Sequence, residues 1–157
     1  MSYIMALREL IGSRKIIHPA ARIIIENASG EILLLRRVDN DNWGLIAGGF
    51  EEGESISECI IREAAEESGL RLKSVNAIGI STRPEAETVR YPNGDTVQYF
   101  TVVFHCDDWE GELLDRSDEA KELRFFGLAE LPSLPANEAP TIDWWQKWKA
   151  GGGFILD

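Results

Sequence analysis

Cysteine and histidine are scarce in this chain of 157 residues, which contains two of each. The two cysteines, Cys59 and Cys106, cannot form a disulfide framework or, without other ligands, a four-ligand zinc site. His18 and His105 stand alone in the sequence, which favours structural over catalytic roles for them. We therefore expect a reducing environment, and the sequence predicts a cytoplasmic protein.

Basic residues and long apolar runs are also few. Lys and Arg number 16 against 27 for Asp and Glu, which gives a formal net charge of −11. Such a charge repels nucleic-acid backbones and anionic membrane surfaces. No apolar run approaches the length of a membrane helix, and residues 1–10 lack the apolar core of a signal peptide. We expect neither nucleic acid nor membrane as a partner, whereas a small nucleotide is not excluded because bound divalent metal reverses the local field.

The overall composition is that of an ordinary globular protein. Hydrophobic residues make up 44% and charged residues 27% of the chain, and the length suits one domain with a substantial core. The sequence contains no internal repeat, low-complexity tract or linker. It therefore predicts a single domain over residues 1–157. The oligomeric state is left open, and a homodimer is compatible with these observations.

Local patterns predict a mixture of helices and strands. Apolar spacing predicts a first helix over Tyr3–Ile11 and a last helix over residues 141–149. Strands are predicted over residues 20–26, 31–37, 43–47, 72–81, 96–105 and 123–128. Turn residues at 27–30 predict a hairpin of the first two strands, and Asn93-Gly94 predicts another. Since the elements do not alternate strictly, we expect an α/β (α+β) fold with a mixed sheet flanked by helices.

A helix beginning after Ser55 carries an unusual charge pattern. Ser55 and Glu58 form the S-x-x-E capping box, and Gly69 stands where a left-handed C-terminal cap is expected. At about 100° per residue, one face is apolar and the opposite face is charged. The charged face holds three carboxylates and one guanidinium, namely Arg62, Glu63, Glu66 and Glu67.

Carboxylates placed so closely repel one another, and like charges at i,i+4 destabilise a helix. Arg62 can offset only one of them. Hard divalent cations prefer oxygen ligands, and Mg²⁺ is usually bound by a few carboxylates together with substrate phosphates. A metal site therefore explains the cluster, and a solvated acidic helix face explains it equally well when the helix is taken by itself.

The segment before the helix favours the metal site. Gly48, Gly49 and Gly53 lie in a glycine loop, residues 48–53, that lets backbone approach a ligand closely. The combined pattern is Gly48, five residues, Glu54, seven residues, Arg62-Glu63-Ala64, one residue, Glu66-Glu67, one residue, Gly69-Leu70. This pattern, complete over residues 48–70, resembles the Nudix box of the MutT-like hydrolases. By residue frequency alone, a match of this kind has a chance of roughly 10⁻⁸ per window.

The resemblance departs from the family pattern at two places. Ala64 stands where a bulkier aliphatic residue is usual, and Ile46-Ala47 replaces a frequent Pro-Gly. Both concern packing and leave the fixed Gly, Glu and Arg positions intact. The resemblance implies a Nudix-type α/β/α sandwich and a pyrophosphohydrolase dependent on Mg²⁺ or Mn²⁺. Its substrate would be a nucleoside diphosphate linked to another moiety, of the nucleotide-sugar, ADP-ribose or CDP-alcohol type.

The resemblance also implies roles for individual residues. The metal ligands would be Glu63, Glu67, Glu66 and the Gly48 carbonyl. Arg62 would orient the carboxylates, and Glu66 is a candidate for the base that activates water. A further base or ligand is expected from the end of the loop at residues 107–119, or just after it. Glu119 and Glu122 are the candidates there, and a solvated turn explains each of them equally well.

Candidates for substrate contacts are fewer and less specific. Arg36 and Arg37 end a strand before the box and could bind phosphate, while Trp43 and Tyr91 could contact a base. Surface arginines and packed aromatics are the alternative interpretation for all four residues. The sequence has no lysine-rich patch that would bind a polyphosphate tail. A nucleoside triphosphate pyrophosphatase of the MutT type nevertheless stays an alternative. A non-catalytic, nucleotide-sensing domain is the second alternative, and the intact carboxylates argue against it.

Overall fold

The computed structural model describes residues 1–157. The four helices are α1 (Tyr3–Ile11), α2 (Ile56–Ser68), α3 (Pro84–Glu87) and α4 (Pro140–Lys149). The strands are β1 (Ile16–Ile25), β2 (Ile32–Arg37), β3 (Trp43–Gly44), β4 (Ile46–Gly49), β5 (Arg71–Leu72), β6 (Asn76–Ser81), β7 (Thr88–Arg90), β8 (Thr96–Cys106), β9 (Trp109–Glu110), β10 (Ala120–Phe126) and β11 (Ile155–Leu156). None of the helices combines the length and the apolar character needed to cross a bilayer.

The main sheet has the strand order β11-β6-β8-β1-β4, with β7 paired to β8 as well. β1 and β8 run parallel, as do β11 and β6, while the other pairs are antiparallel. The predicted mixed sheet is therefore confirmed. β1 contains an isoleucine-rich run that is buried from residue 20 onward, and such continuous burial is typical of a strand covered on both faces.

Two smaller sheets accompany the main one. β10, β2 and β3 form a three-stranded sheet, and β5 pairs with β9. The chain crosses from β3 in the three-stranded sheet to β4 at the edge of the main sheet within a single residue, Leu45. This crossing places Gly48 and Gly49 in the edge strand β4, and the rest of the glycine loop leads from β4 to α2.

The predicted hairpin of residues 20–26 and 31–37 is wrong. Its turn is present, since Asn27 Oδ1 accepts the N–H groups of Ser29 and Glu31, each at 3.0 Å. The strands nevertheless meet only at the bridge between Glu26 and Ile32. Both edges of β1 are already occupied by β8 and β4, so β2 pairs with β10 and β3 instead.

Two predicted strands are each divided between two sheets. Residues 72–81 contain the second residue of β5 and all of β6, and residues 43–47 contain β3 and the first two residues of β4. The Asn93-Gly94 turn joins β7, which was not predicted, to β8, and Gly94 has the positive φ of +91° that such a turn requires. The short helix α3 was also not predicted. Apolar periodicity is short-range information, whereas sheet membership depends on distant partners.

The main sheet lies between two apolar layers. Buried residues of α2 pack on one face, with Cys59, Ile60 and Ala64 fully covered. Trp144 and Trp145 of α4 pack on the other face. This arrangement confirms the predicted α/β sandwich and the predicted last helix, which begins one residue earlier than expected.

A buried ion pair ties β1 to α3 and α4. Arg22 Nη1 and Nη2 bind the two Glu87 oxygens at 3.2 and 3.3 Å, and both residues are almost completely buried. Thr101 donates a third bond to Glu87 at 3.0 Å, and Arg22 also donates to the Asn137 carbonyl at 2.7 Å. These bonds fix α3 and the segment before α4 against the sheet.

We expect Arg22→Ala to lower the free energy of unfolding by about 3–5 kcal/mol, because it leaves the Glu87 carboxylate buried without its cation. Urea denaturation with linear extrapolation measures the change. Arg71→Ala is the matched control, since Arg71 pairs with Glu110 on the surface and such pairs contribute at most about 1 kcal/mol. Equal losses in the two variants would contradict the role given to the buried pair.

Candidate active site

The acidic helix α2 is fixed at both ends by its own sequence. The Ser55 N–H donates to Glu58 Oε2 at 2.7 Å, and the Glu58 N–H donates to Ser55 Oγ at 3.3 Å. Gly69 ends the helix in the left-handed conformation, with φ at 79°. These contacts confirm the predicted capping box and the predicted C-terminal cap. Because Ile60 and Ala64 face the core, the charged face of α2 is turned toward β4 and the glycine loop.

Gly48 is required by the close approach of β4 to this charged face. It pairs with Ala21 of β1 at the edge of the main sheet. A Cβ at this position would collide with the Glu63 carboxyl group, so no side chain fits there. Gly53 has φ at +86° and allows the loop to turn into α2. The backbone of the loop therefore lies directly against a helix carboxylate.

Arg62 is the cation that joins the loop to the helix. Its Nη2 and Nε donate to Glu54 at 2.8 and 3.0 Å, and Nη2 also donates to the Gly49 carbonyl at 3.2 Å. Its Nη1 donates to Glu63 Oε1 at 2.6 Å and to Glu66 Oε2 at 3.4 Å. The bond from Arg62 lowers the pKa of Glu54. Since its donors are occupied by protein groups, Arg62 acts as a positioning residue.

Glu67 is the most deeply buried of the helix carboxylates. The residue is 3% exposed, and its Oε2 has no hydrogen-bond partner. Burial raises its pKa to about 9, and the neighbouring carboxyl group of Glu119 contributes further to the rise. Such a group is stable as the neutral acid, or as a carboxylate once a cation neutralises it.

Glu63 and Glu119 stand beside Glu67 at a small cavity. Burial raises the pKa of Glu63, against the opposing effect of its bond to Arg62. The cavity has a volume of about 220 Å³. Its walls are formed by ten residues from the main sheet, from helices α1 and α2 and from the loops around them: Ser2, Ile4, His18, Ala47, Gly48, Gly49, Glu51, Glu63, Tyr99 and Glu119.

The oxygen donors at this cavity, together with the neighbouring Glu67, fit a small divalent cation. Mg²⁺ and Mn²⁺ prefer oxygen ligands, which carboxylates and backbone carbonyls supply. Glu67 offers a buried oxygen without a partner, and Glu63 and Glu119 lie close enough to raise its pKa. No three His, Cys, Asp or Glu side chains already converge on one point. Because Arg62 holds one Glu63 oxygen, that carboxylate has its other oxygen to give to a cation.

The remaining carboxylates predicted for the site are placed differently. The Glu66 side chain is 61% exposed and has only its long bond to Arg62. Glu119 lies immediately before β10 and reaches the cavity. Glu122 lies within β10, paired with Arg36, and its carboxylate is 4.0 Å from the Arg36 guanidinium. Of the two candidates near the late strand, the structure therefore brings Glu119 to the helix carboxylates.

The two arginines at the end of β2 have different surroundings. Arg36 Nη2 binds Asp41 at 2.7 Å on the surface. Arg37 Nε binds Asp39 at 3.1 Å. The positive charge of Arg37 also partly opposes the rise in the pKa of Glu67. Arg37 is therefore the arginine whose positive charge reaches the carboxylate cluster.

The two predicted aromatic contacts lie away from the carboxylates. Trp43 packs edge-on against Phe126, with ring centroids 4.8 Å apart, and the Arg124 guanidinium lies over both rings. The Tyr91 hydroxyl bonds to the Tyr99 hydroxyl at 2.5 Å. Tyr91 is thus connected to the cavity through Tyr99, which lines it.

Seven of the ten cavity residues were not among the predicted site residues, and three of the seven, His18, Tyr99 and Glu51, carry titratable side chains. His18 and Tyr99 are paired in register on the parallel strands β1 and β8, and their rings meet edge to face with centroids 6.1 Å apart. Burial lowers the pKa of His18, so its ring is neutral near pH 7. Glu51 occupies a position of the box that the family pattern leaves free. No local signal identifies His18 and Tyr99, since they reach the cavity through long-range strand pairing.

Comparison with known proteins gives a consistent result. The family model described as NUDIX domain matches residues 16–145. The chain is 37% identical over 153 residues to the ADP-ribose pyrophosphatase of Methanocaldococcus jannaschii, covering 94% of this chain and 85% of that protein. It is 29% identical over 119 residues to the NAD-capped RNA hydrolase NudC of Pseudomonas aeruginosa, covering 74% of this chain. The chain spans only 39% of the length of that second relative.

A solved structure also resembles this fold. The MutT NUDIX hydrolase from Burkholderia pseudomallei superimposes with a TM-score of 0.68 at 22% identity, covering 82% of this chain and 98% of that chain. At such identity the likeness concerns the fold. It agrees with the observed mixed sheet between helices.

The buried carboxyl of Glu67 predicts a pH dependence of stability in metal-free protein. Its pKa is about 9 in the folded state against an ordinary value of 4.5, so the folded state binds its proton more tightly. The resulting stability is fully present below about pH 4.5 and is lost as the pH rises through about 9. We expect the melting temperature of the wild type, measured in EDTA, to fall relative to that of Glu67→Gln between about pH 5 and 9.

Glu58→Gln serves as the control for this experiment. Bonds to Ser55 lower the pKa of Glu58, so its contribution is lost toward acidic pH and is constant above neutrality. A difference between wild type and Glu67→Gln that does not change with pH would contradict the assigned state of Glu67.

Proposed function

Because the chain belongs to the NUDIX domain family, we propose that it is a metal-dependent pyrophosphohydrolase acting on a nucleoside diphosphate linked to another moiety. The observation that carries this proposal is the buried, unpartnered oxygen of Glu67 beside Glu63 and Glu119. A group of this kind is costly in a protein unless it serves a cation or a proton transfer. We further propose that residues 1–157 act as a single domain.

Glu63, Glu67, Glu66 and the Gly48 carbonyl are the proposed ligands of Mg²⁺ or Mn²⁺. When bound, such an ion neutralises charge on a diphosphate and lowers the pKa of a water molecule. The chain itself supplies the placement of these oxygens. The bond of Arg62 to Glu63 fixes one carboxylate, and the direct approach of Gly48 to Glu63 keeps the loop carbonyls near the same point.

Glu119 is our first candidate for the base that takes the proton of the attacking water. It lines the cavity, and no hydrogen bond to Arg62 restrains its carboxylate. Glu66 is the second candidate, because its carboxylate is exposed and only loosely bound. A general base has to reach the water directly, which favours the carboxylate at the cavity wall.

The substrate class is proposed from the relative and from the charges at the cavity. The relative that matches 94% of the chain is an ADP-ribose pyrophosphatase, so ADP-ribose and nucleotide sugars are the leading candidates, followed by CDP-alcohols. Arg37, whose charge reaches Glu67, is proposed to bind a phosphate, with Arg36 in a lesser role. Tyr91, through Tyr99, and Trp43 are proposed to contact the nucleoside.

Hydrolysis assays on a panel of compounds test this proposal. The panel contains ADP-ribose, nucleotide sugars, CDP-alcohols, dinucleoside polyphosphates and the common nucleoside triphosphates. We expect the highest kcat/KM for ADP-ribose or a nucleotide sugar, and loss of turnover in EDTA. Glu67→Gln should lower kcat/KM at least about a hundredfold, since it replaces a charged ligand without changing shape.

Glu58→Gln is the matched control, because it makes the same chemical change on the same helix outside the cavity and should retain the rate. A preference of tenfold or more for a triphosphate, about 1.4 kcal/mol in the transition state, would instead support the MutT-type alternative. Metal binding without turnover of any compound would support a nucleotide-sensing domain and contradict the enzymatic proposal.

A further inference from the structure

Helix α1 covers part of the catalytic cavity without entering the core. Ile4 and the N-cap residue Ser2 line the cavity together with the catalytic residues. None of the nine residues of α1 is buried, and Met5 and Leu10 are 59% and 84% exposed. The helix also lies outside residues 16–145, which the family model matches. This wall of the cavity is therefore a feature of the chain beyond the common domain.

Few contacts hold α1 in place. The Tyr3 N–H donates to Glu51 Oε2 at 2.7 Å, and the Tyr3 ring stacks on His18 with centroids 6.1 Å apart. At the other end, Arg8 donates to the Thr96 carbonyl at 3.1 Å and pairs with Asp95 at 3.5 Å. A segment that is held by a few polar contacts and has no buried apolar side chain opens at a small free-energy cost compared with global unfolding. Helix α1 can therefore leave the cavity while the sheet stays folded.

Glu51 connects this helix to the catalytic residues. It lies in the glycine loop, and its own N–H donates to Glu54 Oε1 at 2.9 Å. Glu54 is bound by Arg62, which in turn binds Glu63. An unbroken path of hydrogen bonds thus leads from the start of α1 to a proposed metal ligand. The step from Glu51 to Glu54 uses the Glu51 backbone, whereas the step from Glu51 to α1 uses its side chain.

We propose that α1 is a lid over the catalytic cavity, and that Glu51 is the positioning residue that latches this lid to the glycine loop. When docked, the helix supplies Ser2 and Ile4 as a wall against the bound substrate. When released, it widens the entrance to the carboxylates. This inference rests on the proposed function, because a wall of this kind affects kinetics only if the cavity takes a substrate.

The separation of backbone and side-chain bonds makes the latch testable. Glu51→Ala removes the acceptor for Tyr3 and keeps the N–H bond to Glu54, so the catalytic network should survive. For the best substrate of the panel we expect KM to rise about fivefold to tenfold, the size of effect that loss of one solvent-exposed hydrogen bond produces. We expect kcat to change by less than about twofold, because the variant loses binding that is equal in the ground state and the transition state. The groups proposed to carry out the chemistry are unchanged.

Two further variants serve as controls for this effect on KM. Glu51→Gln keeps an oxygen that accepts the Tyr3 N–H and should return KM to within about twofold of the wild type. Glu52→Ala removes the same charge from the neighbouring exposed position of the glycine loop, where the carboxylate has no bonded partner, and should behave like the wild type. A KM that rises equally in Glu51→Ala and Glu52→Ala would assign the effect to net charge and overturn the latch.

Hydrogen exchange of residues 3–11, followed by mass spectrometry, tests the lid without relying on turnover. We expect exchange in this segment to be at least about fivefold faster in Glu51→Ala than in the wild type or Glu52→Ala. We also expect a methylene-bridged analogue of ADP-ribose, added with Mg²⁺, to slow it in the wild type. Unchanged exchange in Glu51→Ala would overturn the proposed latch even if the enzyme hydrolyses the panel. Faster exchange with no turnover of any compound would support the latch and leave the proposed function as the part that failed.

Discussion

The burial of Glu67 beside Glu63 and Glu119 is the constraint around which this molecule is arranged. The three carboxyl groups share one small region, and Glu67 is almost completely buried there. Neighbouring carboxyl groups in a buried position cannot all be ionised unless positive charge compensates them. Arg62 compensates for Glu63, and Arg37 acts on Glu67 from the other side. The positive charge still missing from the cluster is what a divalent cation would provide.

The fold supplies the rigidity that keeps this unfavourable cluster in place. Helix α2 is anchored by its capping box and by Ile60 and Ala64 in the core, so its carboxylates cannot turn away together. The edge strand β4 brings Gly48 against Glu63, where no side chain fits. On the opposite face, the Arg22–Glu87 pair fixes α3 and the segment before α4. The unfavourable free energy of the carboxylate cluster is thus offset by the well-packed elements around it.

The sequence predicted the parts of the site that are local in the chain. The bounds and caps of α2 follow from residues 48–70, and the structure agrees with them. The glycine loop is shorter than predicted, because Gly48 and Gly49 belong to β4. The division of residues 43–47 between two sheets could not be predicted, because β3 and β4 find their partners far away. For the same reason His18 and Tyr99 were not recognised as neighbours. The choice of Glu119 over Glu122 depended on the structure, in which β10 begins at Ala120 and Glu119 directly precedes it.

Proton release on metal binding is the most direct test of this account. A carboxyl with a pKa of about 9 is protonated near neutral pH and has to lose its proton before it can bind a cation. Calorimetric titration with Mn²⁺ at about pH 7, repeated in buffers of different ionisation enthalpy, measures the number of protons released. The account predicts about one proton per bound ion in the wild type, and weaker binding without that proton in Glu67→Gln. Tight binding that releases no proton, or that is unchanged by Glu67→Gln, would contradict it.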